Sequence, residues 1–273
     1  MKYTILGGNG FIGSHLAAYL KSDGFETYVP GRNETFSKTE NLGHVIYAIG
    51  LTADFRDKPF QTIHSHVCKL VEILQSCKYL SFLYLSTTRV YNKNLSTKED
   101  NSLMVNPLIP DDLYNLSKLT GESVCLSIPD NNVKVVRLAN VIGDDFNSDN
   151  FLFSILKEAL NSGTITLTSS LKTAKDYIWI EDVVQLIQQI ISKGTHRLYN
   201  VASGINITNE ELIRKIGESV TFKTTSRKDK EVIETPVIST QRIKEEFNFT
   251  PHNILNHLPA LINQLKKIQQ QKK

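Results

Sequence analysis

Tyr114 and Lys118 stand four residues apart in Tyr114-Asn115-Leu116-Ser117-Lys118, a spacing that places both on one face of a helix. A phenol titrates near ~10, so it exchanges protons at neutral pH only where a cation favours the phenolate. Lys118 can supply that charge. Taken alone, the spacing reads more simply as a half-buried tyrosine with a solvated lysine. A second piece shifts that balance: Leu83-Tyr84-Leu85-Ser86-Thr87-Thr88-Arg89-Val90-Tyr91 is an apolar strand that ends in three hydroxyl residues. In an open parallel sheet, ligands sit beyond the carboxyl ends of the strands. Hydroxyls there could hold a carbonyl or alkoxide oxygen beside Tyr114, although such a run also serves as a turn that satisfies its own backbone.

A third piece is Gly7-Gly8-Asn9-Gly10-Phe11-Ile12-Gly13, between the apolar run Tyr3-Thr4-Ile5-Leu6 and the helical pattern Ser14 to Leu20. Glycines at 7, 10 and 13 suit a strand that turns sharply into a helix whose first amides face a pyrophosphate. A glycine triplet is a weak signal by itself. Its place after a strand and before a helix makes it a nucleotide-binding turn.

The elements that must position these groups follow from periodicity. Apolar runs predict strands near 2–6, 25–29, 44–49, 81–86, 133–137 and 198–202. Amphipathic stretches predict helices near 11–22, 60–77, 112–127, 150–161 and 180–192. Alternation of this kind is that of an α/β fold with a parallel sheet covered on both faces. From about residue 144 the alternation loosens, with a strand-like Thr164 to Leu167, a polar segment from Lys223 to Lys230 and a solvated helical end from Gln264 to Lys273. A smaller C-terminal lobe fits that change.

With 273 residues and 40% hydrophobic content, the chain can bury a full core. Its 31 basic and 28 acidic residues leave a net charge of +3, too balanced for a nucleic-acid surface and suited to small anionic substrates. No apolar run approaches the ~20 residues that span a bilayer, and no signal-peptide pattern is present. Cys68, Cys77 and Cys125 lack paired spacing, so buried reduced thiols and a cytoplasmic setting are expected. His64 and His66 point to different sides of a helix, and no metal site is expected. Asp54, Arg56 and Asp57 read as caps for the following helix.

The assembled blocks resemble the short-chain dehydrogenase/reductase superfamily, in its extended branch that acts on nucleotide sugars. The resemblance covers most of the chain. It rests on Gly7-x-x-Gly10-Phe11-Ile12-Gly13-Ser14-His15-Leu16, on Leu85 to Tyr91, and on Tyr114-x-x-Ser117-Lys118-Leu119-x-Gly121-Glu122. Arg137-Leu138-Ala139-Asn140-Val141-Ile142-Gly143 and Lys175-Asp176-Tyr177-Ile178-Trp179-Ile180-Glu181-Asp182-Val183-Val184 complete it. It implies a Rossmann-type doubly wound sheet over 1–143, with returning segments near 175–202, and a small substrate lobe from 144–174 and 203–273. It also implies that Tyr114 exchanges the proton of a sugar hydroxyl or ketone, that Lys118 lowers its pKa and holds the nicotinamide ribose, and that Thr87 is the hydroxyl partner. Gly7, Gly10, Phe11, Ile12, Gly13, Arg32, Ile49, Gly50, Lys118, Leu138 and Asn140 become cofactor residues. Thr88, Arg89, Asn140, Lys175 and Arg227 become substrate residues, and paired helices in relatives imply a homodimer.

Three departures from the family pattern narrow the reading. The second strand ends Tyr28-Val29-Pro30-Gly31-Arg32 without the acidic residue that would accept from a ribose 2′-hydroxyl, so NADP is favoured over NAD with Arg32 on the 2′-phosphate. Only Asn33 to His44 precede the next apolar strand. A crossover needs at least ~10–12 residues, so the usual third strand is expected to be absent. Thr88 and Arg89 replace the Asp-Glu pair of the 4,6-dehydratases, which disfavours dehydration. The reading is NADP-dependent reduction of a keto group on a nucleotide-linked sugar; an NAD(P)-dependent epimerase and a catalytically silent dinucleotide sensor are the alternatives.

Overall fold

The computed structural model describes residues 1–32, 34–37, 40–51, 54–148, 150–226, 232 and 235–271. The chain opens β1 (Lys2–Leu6), α1 (Phe11–Ser22), β2 (Glu26–Tyr28) and β3 (His44–Tyr47). There follow α2 (Pro59–Ile63), a π-helical turn (His64–Cys68) and α3 (Lys69–Ser76), then β4 (Ser81–Thr87), a 3₁₀ turn (Thr88–Tyr91) and α4 (Asp112–Ser127). Beyond them come β5 (Val133–Leu138), β6 (Asn140–Ile142), α5 (Phe151–Asn161), β7 (Thr164–Leu167), β8 (Ala174–Trp179), α6 (Ile180–Lys193) and β9 (Leu198–Val201). The chain finishes with β10 (Asn206–Thr208), α7 (Asn209–Gly217), β11 (Lys223–Ser226), α8 (Gln241–Phe247) and α9 (Ile254–Gln271). No helix of the described residues is long and apolar enough to cross a membrane.

Six strands form a parallel sheet in the order β2-β1-β3-β4-β5-β9. Right-handed crossovers demand helices between parallel neighbours, and α1, α3, α4 and α6 supply them. β2 is the sheet edge, and among the described residues no strand pairs on its outer side. The expected missing strand is therefore missing. After β2 the chain passes straight to β3, with Thr4 Oγ1 donating to the Leu42 carbonyl at 2.6 Å.

The expected strands and helices coincide with observed ones to within a few residues, and Thr164 to Leu167 is a strand. The stretch expected as one helix over 60–77 is broken by the π turn. There the Tyr47 hydroxyl donates to the Ser65 carbonyl at 2.6 Å and the Tyr84 hydroxyl to that of His66 at 3.2 Å, which draws these carbonyls off the regular ladder. Polar residues 223–226 form β11 against β7. Gln264 to Gln271 continue α9 with mostly solvent-facing residues, and Leu265 alone among them packs into the apolar cluster of Leu258, Ile262, Phe153 and Ile165. Of the cysteines only Cys125 is buried; Cys68 is exposed and Cys77 half-buried, since the π turn rotates Cys68 outward.

Beneath the carboxyl ends of β4, β5 and β9 runs a buried polar network. Arg137 on β5 meets Glu122 on α4 at 2.6 Å, both nearly inaccessible, and Ser86 on β4 donates to the same carboxylate. Arg137 also donates to the Tyr91 hydroxyl at 2.7 Å, and Tyr91 donates to Asn200 on β9 at 2.9 Å. Removing one partner of a buried pair leaves a stranded charge. Glu122→Gln should lower the unfolding free energy by about 3–5 kcal/mol, read from urea or guanidinium denaturation midpoints.

Candidate active site

Gly7 has φ +86°, and a Cβ there would lie 2.8 Å from the Ala48 carbonyl carbon; a Cβ on Gly13 would lie 2.3 Å from the Gly7 carbonyl oxygen. Only glycines let the β1–α1 turn fold this tightly against the end of β3. Gly10 caps α1 without a side chain, so the first amides of the helix remain available to phosphate oxygens. A cradle that Cβ atoms would fill fits a dinucleotide pyrophosphate.

Two cavities meet at this turn and share Gly10, Ala48, Ile49 and Gly50. The larger, about 870 Å³, lies between the glycine turn, the segment after β2 and the π turn. Arg32 stands exposed at its wall. Glu34 also lines it, accepting from the Gly31 amide at 2.8 Å and from the Tyr28 hydroxyl. The sequence reading placed no carboxylate here. The strand end carries none, but the chain folds back and delivers one three residues beyond Gly31.

The second cavity, about 470 Å³, is lined by Thr87, Tyr114 and Lys118 together with Phe11, Ile12, Gly13, Leu138, Asn140, Arg89 and Lys175. Thr87, at the end of β4, accepts the Arg89 amide at 3.2 Å. Its hydroxyl lies near enough to the Tyr114 phenol to favour the phenolate. Lys118 Nζ donates to the Leu85 carbonyl at 2.9 Å and lies 5.1 Å from the centroid of the Tyr84 ring. Asn140 Nδ2 donates to the Asp176 carbonyl at 2.8 Å. Thr88 turns away into the 3₁₀ turn and is not among the lining residues. Ser86 reaches the cavity, but its hydroxyl is committed to Glu122. Arg227 lies outside the described residues.

The pattern that matches this arrangement describes the NAD dependent epimerase/dehydratase family, over residues 3–64 and 48–202. The chain belongs to that family. Among curated relatives it is 26% identical to a dTDP-D-glucose 4,6-dehydratase of Dictyostelium discoideum, over 79% of this chain and 61% of that protein. The chain thus spans less than two thirds of that relative's length. It is 27% identical to the GDP-6-deoxy-D-mannose reductase of Pseudomonas aeruginosa, over 78% of each. Among solved structures, RMD from Pseudomonas aeruginosa complexed with NADPH superposes with a TM-score of 0.77 at 22% identity, covering 97% of this chain and 99% of that one. The last likeness is one of fold.

In this member of the family the electrostatics depart from expectation. Burial pushes the Tyr114 phenol above its usual range, and the cation that opposes this is Arg89, assisted by the Thr87 hydroxyl. The Arg89 guanidinium lies 5.4 Å from the centroid of the Tyr114 ring. Lys118, expected to depress the phenol, is turned to Leu85. Burial lowers its own pKa to about 7, with Glu122 resisting.

His66, read from sequence as an ordinary helical histidine, is a strap between the two walls. Nε2 accepts the Leu51 amide at 3.2 Å, which leaves the proton on Nδ1 to donate to Ser117 Oγ at 2.7 Å. Ser117 donates on to the Tyr114 carbonyl at 2.8 Å. Burial, reinforced by Lys118, drops His66 to about 3, so it stays neutral. No sequence signal marked it, because its partners lie 15 and 51 residues away. The acidic and basic residues after β3 also differ from the expected caps. Arg56 grips Asp111 with two hydrogen bonds of 2.6 and 2.5 Å, Asp54 pairs with Lys58, and α2 is capped by Lys58 and Pro59.

Lys118 gives a pH test. Its pKa falls from 10.5 unfolded to about 7 folded, so between those values the unfolded chain binds the extra proton and stability rises with pH. Below about pH 7 both states are charged and the full penalty applies. The ligand-free Lys118→Met variant should lack this rise and be more stable than the parent at neutral pH, as followed by thermal melts from pH 6 to 10.5.

Proposed function

We propose that the protein reduces a keto group on a nucleotide-linked sugar, with NADPH as hydride donor and Tyr114 as proton donor. The observation that carries this is the phenol itself. It lines one cavity with Thr87 and Lys118, and burial raises it above its ordinary range, so a neutral phenol, the form that protonates a nascent alkoxide, faces the place of the reacting oxygen. Thr87, fixed by the Arg89 amide, orients the carbonyl oxygen toward the phenol. Asn140 and Lys175 face the same cavity from β6 and β8. Residues 144–174 and 203–273 are proposed as the substrate-binding part, closing over the dinucleotide-binding remainder.

When bound, NADPH supplies the hydride. The glycine cradle would grip its pyrophosphate, and Lys118, with donors left beyond Leu85, would reach the nicotinamide ribose. The chain then has one proton to deliver. Tyr114 would give it to the carbonyl oxygen, and Arg89 and Thr87 would hold the resulting phenolate until solvent returns the proton. Arg32 at the cavity wall is the proposed partner of the 2′-phosphate, while Glu34 on the same wall is engaged by the Gly31 amide and the Tyr28 hydroxyl. The open 870 Å³ cavity, left by the missing edge strand, suits a cofactor that exchanges each turnover. An epimerase has to retain its dinucleotide.

Tyr114→Phe should keep dinucleotide affinity, measured by quenching of NADPH fluorescence, and lose turnover by about 10²–10⁴-fold. Screening nucleotide-linked keto sugars for NADPH oxidation provides the rate. Turnover at the parental rate in the variant, or dinucleotide that co-purifies and supports reaction without added NADPH, overturns the reading.

A further inference from the structure

Arg89 stands where the reaction would occur, yet most of its hydrogen-bonding capacity is unused. Its guanidinium lies over two aromatic rings, 5.0 Å from the centroid of Phe55 and 5.4 Å from that of Tyr114. A guanidinium held against aromatic faces gains cation–π attraction without using its N–H donors. Among the described residues its one side-chain partner is Asp111, at a long 3.4 Å. That carboxylate is already gripped through two short bonds by Arg56, so one negative charge serves two guanidinium groups. Lys175 faces the same cavity close enough for the two cations to disfavour each other's charge, and its ammonium rests over Phe151 at 5.1 Å. Arg89 and Lys175 thus bring two cations to a cavity whose one lining carboxylate among the described residues is Asp145.

We infer that the sugar accepted here carries a carboxylate of its own, bound by the fork of Arg89 beside Tyr114; this rests on the nucleotide-sugar reading above. A planar fork matches a carboxylate through two parallel N–H···O bonds. Its position decides which anion it takes. Arg89 lies against the phenol that would protonate the reacting oxygen, and its own amide fixes Thr87, so the anion lies on the sugar ring within a few bonds of the reacting carbon. The nucleotide diphosphate, joined through the anomeric carbon, falls to Lys175 and Asn140 on the other wall. Arg56 matters indirectly. By occupying Asp111, it keeps Arg89 from being quenched.

The test measures binding, so it does not depend on hydride transfer. In the presence of NADP⁺, calorimetric titration compares UDP-glucuronic acid with UDP-glucose and dTDP-glucuronic acid with dTDP-glucose. In at least one pair the acid should bind about 10- to 100-fold more tightly. Arg89→Met should bring the acid down to the affinity of the neutral sugar measured in the same variant, and Arg89→Lys should restore part of the preference. Arg56→Met, which retains Arg89 but frees Asp111 to pair with it, should shrink the preference too. Equal affinities within both pairs, no binding of either acid, or an equal loss for acid and neutral sugar in Arg89→Met would overturn the inference, the last by assigning Arg89 to the diphosphate. Failure of the reductase reading would appear separately, as absent NADPH oxidation with any keto sugar while the acid preference persists.

Discussion

The buried pair of Arg137 and Glu122 is the constraint on which the site depends. Two charges out of water cost several kcal/mol each unless every lone pair and proton is met, and here the requirement is met by Ser86, Tyr91 and, through Tyr91, Asn200. Those partners come from β4, the following turn and β9, so satisfying one ion pair locks α4 to three strands at their carboxyl ends. Asn200 extends the lock to the loop at Thr97 and the segment at Ser239. Tyr114 and Lys118 ride on α4, about two turns and one turn before Glu122 respectively. Their distance from Thr87 on β4 is thus set by a network that touches neither of them.

A second layer of placement is steric. Gly121 allows α4 to approach the π turn, since a Cβ there would fall 2.5 Å from the Tyr84 hydroxyl. At that contact His66 reaches from the π turn to Ser117 and to the Leu51 amide. The wall next to the glycine cradle and the helix that bears Tyr114 are thereby joined through one side chain. The missing edge strand has the opposite effect on the far side, where the larger cavity is bounded by the turn after β2 and by Glu34 rather than by a strand and its helix.

Charge in the site is governed by burial more than by the helix partner that the spacing suggested. Lys118 has lost solvent and gained one carbonyl, so it is a weak source of positive potential in the ligand-free protein. Arg89, from the strand-to-helix turn, is the cation that acts on the phenol. An arginine stays charged where a buried lysine gives up its proton, which explains how the two can exchange roles. Asp111 and Arg56 set how strongly Arg89 is felt.

The sequence by itself determined the parallel α/β frame, the glycine turn, the absent third strand and the membership of Thr87, Tyr114 and Lys118 in one family pattern. Each is a local matter: periodicity, a steric demand at Gly7 and Gly13, a connection too short for a crossover, an i to i+4 spacing. What only tertiary structure decided lies between segments distant in the chain. The strap at His66, the return of Glu34 into the larger cavity, the division of Asp111 between Arg56 and Arg89, and the turning of Lys118 toward Leu85 have no local signature. They depend on which groups share a buried space, and burial is what sets hydrogen-bond partners and proton affinities. The short strands β6, β8 and β10 escaped the periodic reading for the same reason, as three or six residues acquire their register from neighbours and not from their own pattern.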